Sequence, residues 1–78
     1  MIQLDVSILS PAQVVFEGKA GSVVVPGEQG VFEVLPFHKR LISRLVSGII
    51  SVDNKQVKIK RGLIQVRQNR VTILMEEP

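Results

Sequence analysis

Residues 23–43 read VVVPGEQGVFEVLPFHKRLIS, and this stretch decides the fold. Ser22 to Val25 is a nearly continuous β-branched run, the composition of a strand covered on both faces. Pro26-Gly27 predicts a turn, and Val31 to Leu35 predicts a second strand. Pro36 ends that strand because it has no N–H to give to a ladder. A corner, His38-Lys39-Arg40, follows. The next apolar residues, Leu41, Ile42, Leu45 and Val46, suit one or two helical turns as well as a strand, so this segment reads as strand-like or irregular.

The flanks repeat the pattern of short strands and turn signals. Leu4, Val6 and Ile8 alternate with Asp5 and Ser7 before Ser10-Pro11. Val14 to Phe16 predicts a short second strand closed at Glu17-Gly18. Beyond Gly48, Ile49 to Val52 and Gln56 to Lys60 predict a hairpin around Asp53-Asn54-Lys55. Arg61-Gly62 and Gln68-Asn69 read as two further turns, bounding strands with Ile64 and Val66, then Val71 and Ile73, on one face. Evenly spaced short strands with no convincing helix predict an all-β, flattened antiparallel sandwich or barrel. Short connections exclude parallel crossovers, which makes every pairing antiparallel on this reading.

Composition bounds the rest. Seventy-eight residues, without cysteine, predict a single domain, 1–78, held by apolar packing rather than by disulfides or a cysteine zinc site. The chain is 45% hydrophobic, rich in Val, Ile and Leu, which favours strands. No apolar run approaches the roughly 20 residues of a spanning helix. The N-terminus lacks a signal peptide's basic start and apolar stretch, which predicts a cytosolic location.

A net charge of +3 on a small β protein admits a second reading, a basic barrel that binds single-stranded nucleic acid. Against it stands the aromatic inventory, Phe16, Phe32 and Phe37 with no Tyr or Trp, too thin for a stacking platform. A third reading, a small enzyme or metal protein, has only His38 behind it. One histidine with scattered carboxylates makes no metal-ligand spacing, and no serine sits in a nucleophile elbow. Catalytic residues, metal and cofactor are all predicted to be none. PGEQG at 26–30 lacks the lysine and following helix of a phosphate loop, so a tight turn with Gly27 and Gly30 at permissive φ explains it. Lys58, Lys60, Arg61, Arg67 and Arg70 fall on outward positions of the last strands, a solvated face.

Three segments, LDVSILSPAQVVFEGKAGSVVVPG, the stretch quoted above, and RGLIQVRQNRVTIL, occur in the order found in the ε subunit of F-type ATP synthases. The chain resembles that family's N-terminal domain over essentially its whole length. The resemblance implies a flattened β-sandwich of about ten strands and a non-catalytic rotor role. It implies a central-stalk subunit that links γ to the membrane-embedded c-ring and so couples ion-driven rotation to ATP synthesis. The partners implied are γ, the c-ring and, indirectly, the catalytic αβ head, with no nucleic acid. Attachment would be peripheral, at the cytoplasmic face of the membrane and through the complex.

Carried over position by position, the resemblance makes Pro26, Gly27, Glu28, Gln29, Gly30 and Val31 the ring-facing loop. It makes His38, Lys39, Arg40, Ile42 and Ser43 the γ-facing residues. Phe37 and Lys39-Arg40 depart from the family's usual Gly and Ala-Pro around the histidine, which implies a locally altered contact. Family members commonly continue into a C-terminal helical hairpin that inhibits by extension and in some binds ATP. The hairpin has no counterpart in these 78 residues, so this chain is expected neither to bind ATP nor to inhibit in that way. Calorimetric titration with ATP checks this, the expected outcome being no saturable heat.

Overall fold

A computed structural model describes residues 2–78. It contains nine strands, where about ten were expected, and no helix among the described residues. They are β1 (Leu4–Leu9), β2 (Val14–Ala20), β3 (Val23–Gly27), β4 (Gly30–Val34), β5 (Leu41–Leu45), β6 (Gly48–Val52), β7 (Lys55–Ile59), β8 (Arg61–Arg67) and β9 (Arg70–Glu76). The segment of ambiguous spacing is therefore a strand. Strict alternation made the last strands easy to place. In β9, Val71, Ile73 and Met75 are buried while Arg70, Leu74 and Glu76 are exposed.

The strands follow the order β2-β1-β9-β8-β5-β3-β6-β7, with β4 on the other edge of β3. β5 and β3 meet through a single pair, Gly27 opposite Leu45, reinforced by the Val46 N–H donating to the Pro26 carbonyl at 2.9 Å. That narrow joint is the corner at which the sheet folds over. Five strands, β2-β1-β9-β8-β5, then face four, β4-β3-β6-β7. Sixteen apolar side chains fill the space between them, among them Leu4, Ile8, Val25, Ile50, Ile64 and Ile73, and no polar or charged side chain is buried with them. The whole measures 33 × 26 × 20 Å.

One expectation is overturned. β1 and β9 pair in parallel, Asp5 with Arg70 through to Leu9 with Leu74, although all pairings were expected to be antiparallel. Short connections forbid parallel pairing only between strands adjacent in sequence, and here most of the chain serves as the crossover. Three boundaries also move. β2 runs on to Ala20 rather than closing at Glu17-Gly18. Pro26 and Gly27 lie within β3, and the turn is Glu28-Gln29. The break before β8 falls at Lys60, leaving Arg61 and Gly62 in the strand.

Two turns carry their own chemistry. Gln68 and Asn69 both have positive φ, 50° and 61°, the backbone twist that matches a two-residue hairpin to its strands. Asp53, at φ 50°, accepts at its carboxylate from the N–H groups of Gly21 and Ser22 at about 3.1 Å, tying the β6–β7 turn to the entry of β3.

Gly62 sits opposite both Leu45 and Met75, and a Cβ there would stand 2.7 Å from the Leu74 carbonyl oxygen and 3.2 Å from Met75 Cα. These are backbone atoms in the middle of the sheet and cannot swing aside. Gly62→Ala is expected to cost about 1–3 kcal/mol through overpacking, read as a lower midpoint in urea unfolding.

Candidate functional site

The loop between β3 and β4 is built by two glycines with different reasons. Gly30 has φ +124° and open space around it, a backbone conformation that favours glycine. Gly27 needs room instead, since a Cβ would lie 2.8 Å from the Phe32 ring and 2.9 Å from the Gly30 carbonyl. Gly27 thus lacks the positive φ expected of it. Of the six loop residues, Pro26 and Gly27 are buried, whereas Glu28, Gln29, Gly30 and Val31 are exposed. Val31 is 72% exposed, an apolar side chain held out by a closed hairpin. Residues 27–32 and Ser43 line one shallow concavity of about 420 Å³, so the structure brings Ser43 of β5 to the loop.

His38, Lys39 and Arg40 lie elsewhere. The β1–β2, β3–β4 and β5–β6 connections share one end of the sandwich, and the β2–β3, β4–β5, β6–β7 and β8–β9 connections share the other. The corner at 36–40 therefore sits at the opposite end from the loop at 28–29. There the His38 N–H donates to the Leu35 carbonyl at 3.1 Å, and Phe37 takes φ 68°. The Phe37 N–H donates to Asn69 Oδ1 at 2.6 Å, which pins the corner to the β8–β9 turn. The His38 ring is close enough for Nδ1–H to donate to the Lys39 carbonyl at 2.7 Å. Lys39 and Arg40 are exposed. Ile42, 66% exposed, lies on the outer face of β5, between the two ends.

Sequence reasoning missed an apolar patch on the outer face of the five-stranded sheet. Register places Val14, Leu9, Leu74 and Leu63 side by side across β2, β1, β9 and β8, and all but the partly buried Leu9 are exposed. Leu9, Leu63, Leu74 and Val46 line an open concavity of about 1010 Å³, whose charged lining is Arg44, Lys60 and Arg61 together with Glu28 and Glu76. The signal was present in the sequence, since Leu63 and Leu74 occupy outward positions of their strands.

Charges on this molecule lie at its surface. Lys19 bonds Asp5 at 3.0 Å and Arg61 bonds Glu76 at 3.0 Å, exposed pairs of small energetic weight. The Lys19 hydrogen bond, then its charge and that of Arg70, hold the Asp5 carboxyl below its ordinary pKa against a small opposing effect of burial. A lowered carboxylate pKa favours the folded state at neutral pH, and that contribution disappears as pH falls from the ordinary aspartate value through the lowered one. Of the three phenylalanines, Phe16 and Phe32 pack against the core, and Lys55 Nζ lies 5.6 Å from the Phe16 ring centre. Only Phe37 is exposed among them, which leaves no run of aromatics for successive bases.

Residues 3–77 match the family described as ATP synthase, Delta/Epsilon chain, beta-sandwich domain. The chain is similar to the ATP synthase epsilon chain of Leptospira borgpetersenii serovar Hardjo-bovis, 35% identical over 95% of this chain and 61% of that protein. It is also similar to the one of Campylobacter curvus, 38% identical over 97% of this chain and 63% of that protein. The chain thus spans a little over three fifths of these relatives' length. In fold it resembles a chain of the Euglena gracilis mitochondrial ATP synthase OSCP/F1/c-ring structure, with a TM-score of 0.86, 20% identity, and coverage of 96% of this chain and 51% of that one. It likewise resembles a chain of the Tetrahymena thermophila central stalk/c-ring structure, with a TM-score of 0.81, 12% identity, and coverage of 95% and 63%.

Asn69→Gly keeps a residue suited to positive φ but removes the bond to Phe37. A loss of about 1 kcal/mol is expected, with faster amide hydrogen exchange at Phe37 and little change in the core strands. Acid titration followed by NMR should find the Asp5 carboxyl ionising below the ordinary aspartate range, and Lys19→Met should return it upward.

Proposed function

Because the chain belongs to the delta/epsilon chain family of ATP synthases, through that family's β-sandwich domain, we propose that it is a rotor-stalk subunit joining γ to the c-ring. It does no catalysis and needs no cofactor. As a rigid β-sandwich it transmits torque, fixing γ to the ring so that ion-driven rotation reaches the αβ head. Its place is in a membrane-associated complex, peripherally, at the cytoplasmic face.

The observation that carries this reading is the placement of two exposed, preorganised surfaces on one sandwich. At one end Glu28, Gln29, Gly30 and Val31 project from a hairpin closed by Gly27 and Gly30 and would rest on the ring. His38, Lys39 and Arg40 at the other end, with Ile42 on the outer face of β5, would face γ, as would Ser43, although it lies beside the loop. Pro26 and Gly27 serve the ring contact by shaping the loop, since both are buried. Torque transmission asks for contacts that do not yield, and a densely packed interior meets that demand because it deforms little. A wide exposed apolar surface suits a subunit that works inside an assembly.

Co-purification of this chain with γ and the c-ring of a matched ATP synthase, followed by ATP-driven ion pumping with and without it, tests the proposal. Val31→Asp is expected to place an unpaired charge in the ring contact and weaken it by about 2–5 kcal/mol where that contact is fully desolvated. Assembly and pumping would fall while the isolated chain stays folded, because Val31 makes no part of the core. Wild-type pumping by that variant would remove the loop from the contact.

A further inference from the structure

We propose that Arg70, Arg67 and Arg40, with Phe37 beside them, form a docking site for an acidic segment of a protein partner. Arg67 and Arg70 are cross-strand partners, the last pair before the β8–β9 turn. Both are exposed, and their inward neighbours Val66 and Val71 are buried, so the two guanidinium groups share the outer face. Leu41 pairs with Val66, which brings Arg40, one residue earlier, alongside Arg67. On its other side Arg70 faces Asp5 across the parallel ladder, but that carboxylate is held by Lys19 at 3.0 Å. Neither ion pair found among the described residues, Lys19–Asp5 or Arg61–Glu76, involves Arg40, Arg67 or Arg70.

Like charges directly opposite each other weaken a sheet, so this arrangement is unfavourable to the isolated fold. A second local expense lies beside it. Phe37 holds φ 68°, a region costly for a bulky side chain, while its ring remains 73% exposed. The bond from its N–H to Asn69 Oδ1 fixes the ring's backbone to the very turn that Arg67 and Arg70 flank. Two features that carry a cost to the fold, the opposed arginines and the positive φ of Phe37, therefore stand together at one end of the molecule.

Their surroundings say what they fit. Gln65, Arg67, Gln68, Arg70 and Thr72 line a depression of about 390 Å³, offering two guanidinium groups, two carboxamides and a hydroxyl. Such donors suit carboxylates, which a guanidinium binds in bidentate fashion. Adjacent strands are about 4.8 Å apart, close to the ~5–6 Å between side chains three or four residues apart on a helix, so successive arginines can meet successive carboxylates. Arginine and aromatic residues together are the composition of protein–protein anchors. A lipid surface asks only for accumulated charge, and a nucleic-acid strand asks for several stacking rings. Neither calls for one phenylalanine fixed at unfavourable φ. Arg40 also belongs to the face proposed above for γ, but the site stands on this local geometry and on neither that assignment nor that of the loop at the opposite end.

The test is fluorescence anisotropy of a labelled glutamate decamer titrated with the 78-residue chain. Saturable binding that weakens with salt is expected. The double variant Arg67→Gln, Arg70→Gln should lose about tenfold or more in affinity while unfolding near the wild-type temperature, since the opposed charges and the lesser help that Arg70 gives to Asp5 go together. Lys58→Gln with Lys60→Gln removes the same charge elsewhere and should leave binding within about twofold of the wild type. Phe37→Gly should weaken binding without lowering the unfolding temperature, whereas a drop in both would assign Phe37 to folding and overturn its part. An unchanged affinity in the arginine variant overturns the site, as does equal loss in the lysine control. Tighter binding to phosphatidylserine vesicles or to a single-stranded oligonucleotide than to the decamer overturns the choice of partner.

Discussion

The interior of this sandwich is wholly apolar, and the rest of the structure follows from that. Sixteen buried side chains, none of them polar, give the backbone nothing to bond with except itself. Each N–H and C=O inside must therefore find a ladder partner, because an unpaired buried group is costly. Closure follows. β1 pairs with β9, and the sheet bends at the Gly27–Leu45 corner to lay one layer on the other. With the inside given over to packing, recognition is left to the ends and the outer faces, where the ionisable side chains of the described residues lie.

That division explains what could be read from the chain in advance. The strands from β7 to β9 were legible because inward Val57, Ile59, Ile64 and Ile73 hold to a period of two along their strands, even though Leu63 and Leu74 take two of the outward places. β5 was not, because exposed Ile42 and Val46 break the period of two and imitate a helical face. The same apolar surplus, at Leu63 and Leu74, hid an outer patch inside what was taken for a basic face. The parallel β1–β9 pairing is a property of the closed sheet, and no local pattern encodes it. Among site residues, the presence of a loop was legible from its glycines, but its turn falls at Glu28-Gln29 rather than Pro26-Gly27, and the reason for Gly27, close approach of Phe32, needed coordinates. The resemblance supplied which residues to join. Their separation onto opposite ends came from topology.

The two ends also differ in how far they depart from what folding alone would choose. At the end holding residues 28–29, the one unusual conformation belongs to Gly30, a residue that adopts it freely. At the other end Phe37, Asp53, Gln68 and Asn69 all take positive φ, and two arginines oppose each other. Asn and Asp tolerate that conformation, and a hairpin turn of this kind requires it. Phe37 has no such excuse. Departures from local preference concentrate where a structure does something besides fold, which gives the two ends unlike characters even though both are surfaces of one rigid body.

The position of β9 has a consequence for how the chain comes to be folded at all. It is the ninth of the nine strands in sequence order, yet it lies inside the five-stranded layer, between β1 and β8. Until residues 70–76 have left the ribosome, those two strands each present an open edge and the interior lacks Val71, Ile73 and Met75. Native order cannot build up from the N-terminus as it does in a chain of local hairpins. The sandwich must wait for its ninth strand, and the long sequence separation across the β1–β9 ladder makes this closure a slow step. During that interval a nascent chain this rich in valine, isoleucine and leucine carries bare strand edges that invite pairing with another chain. The device that makes the finished sandwich stiff is therefore what leaves its precursor most in need of protection.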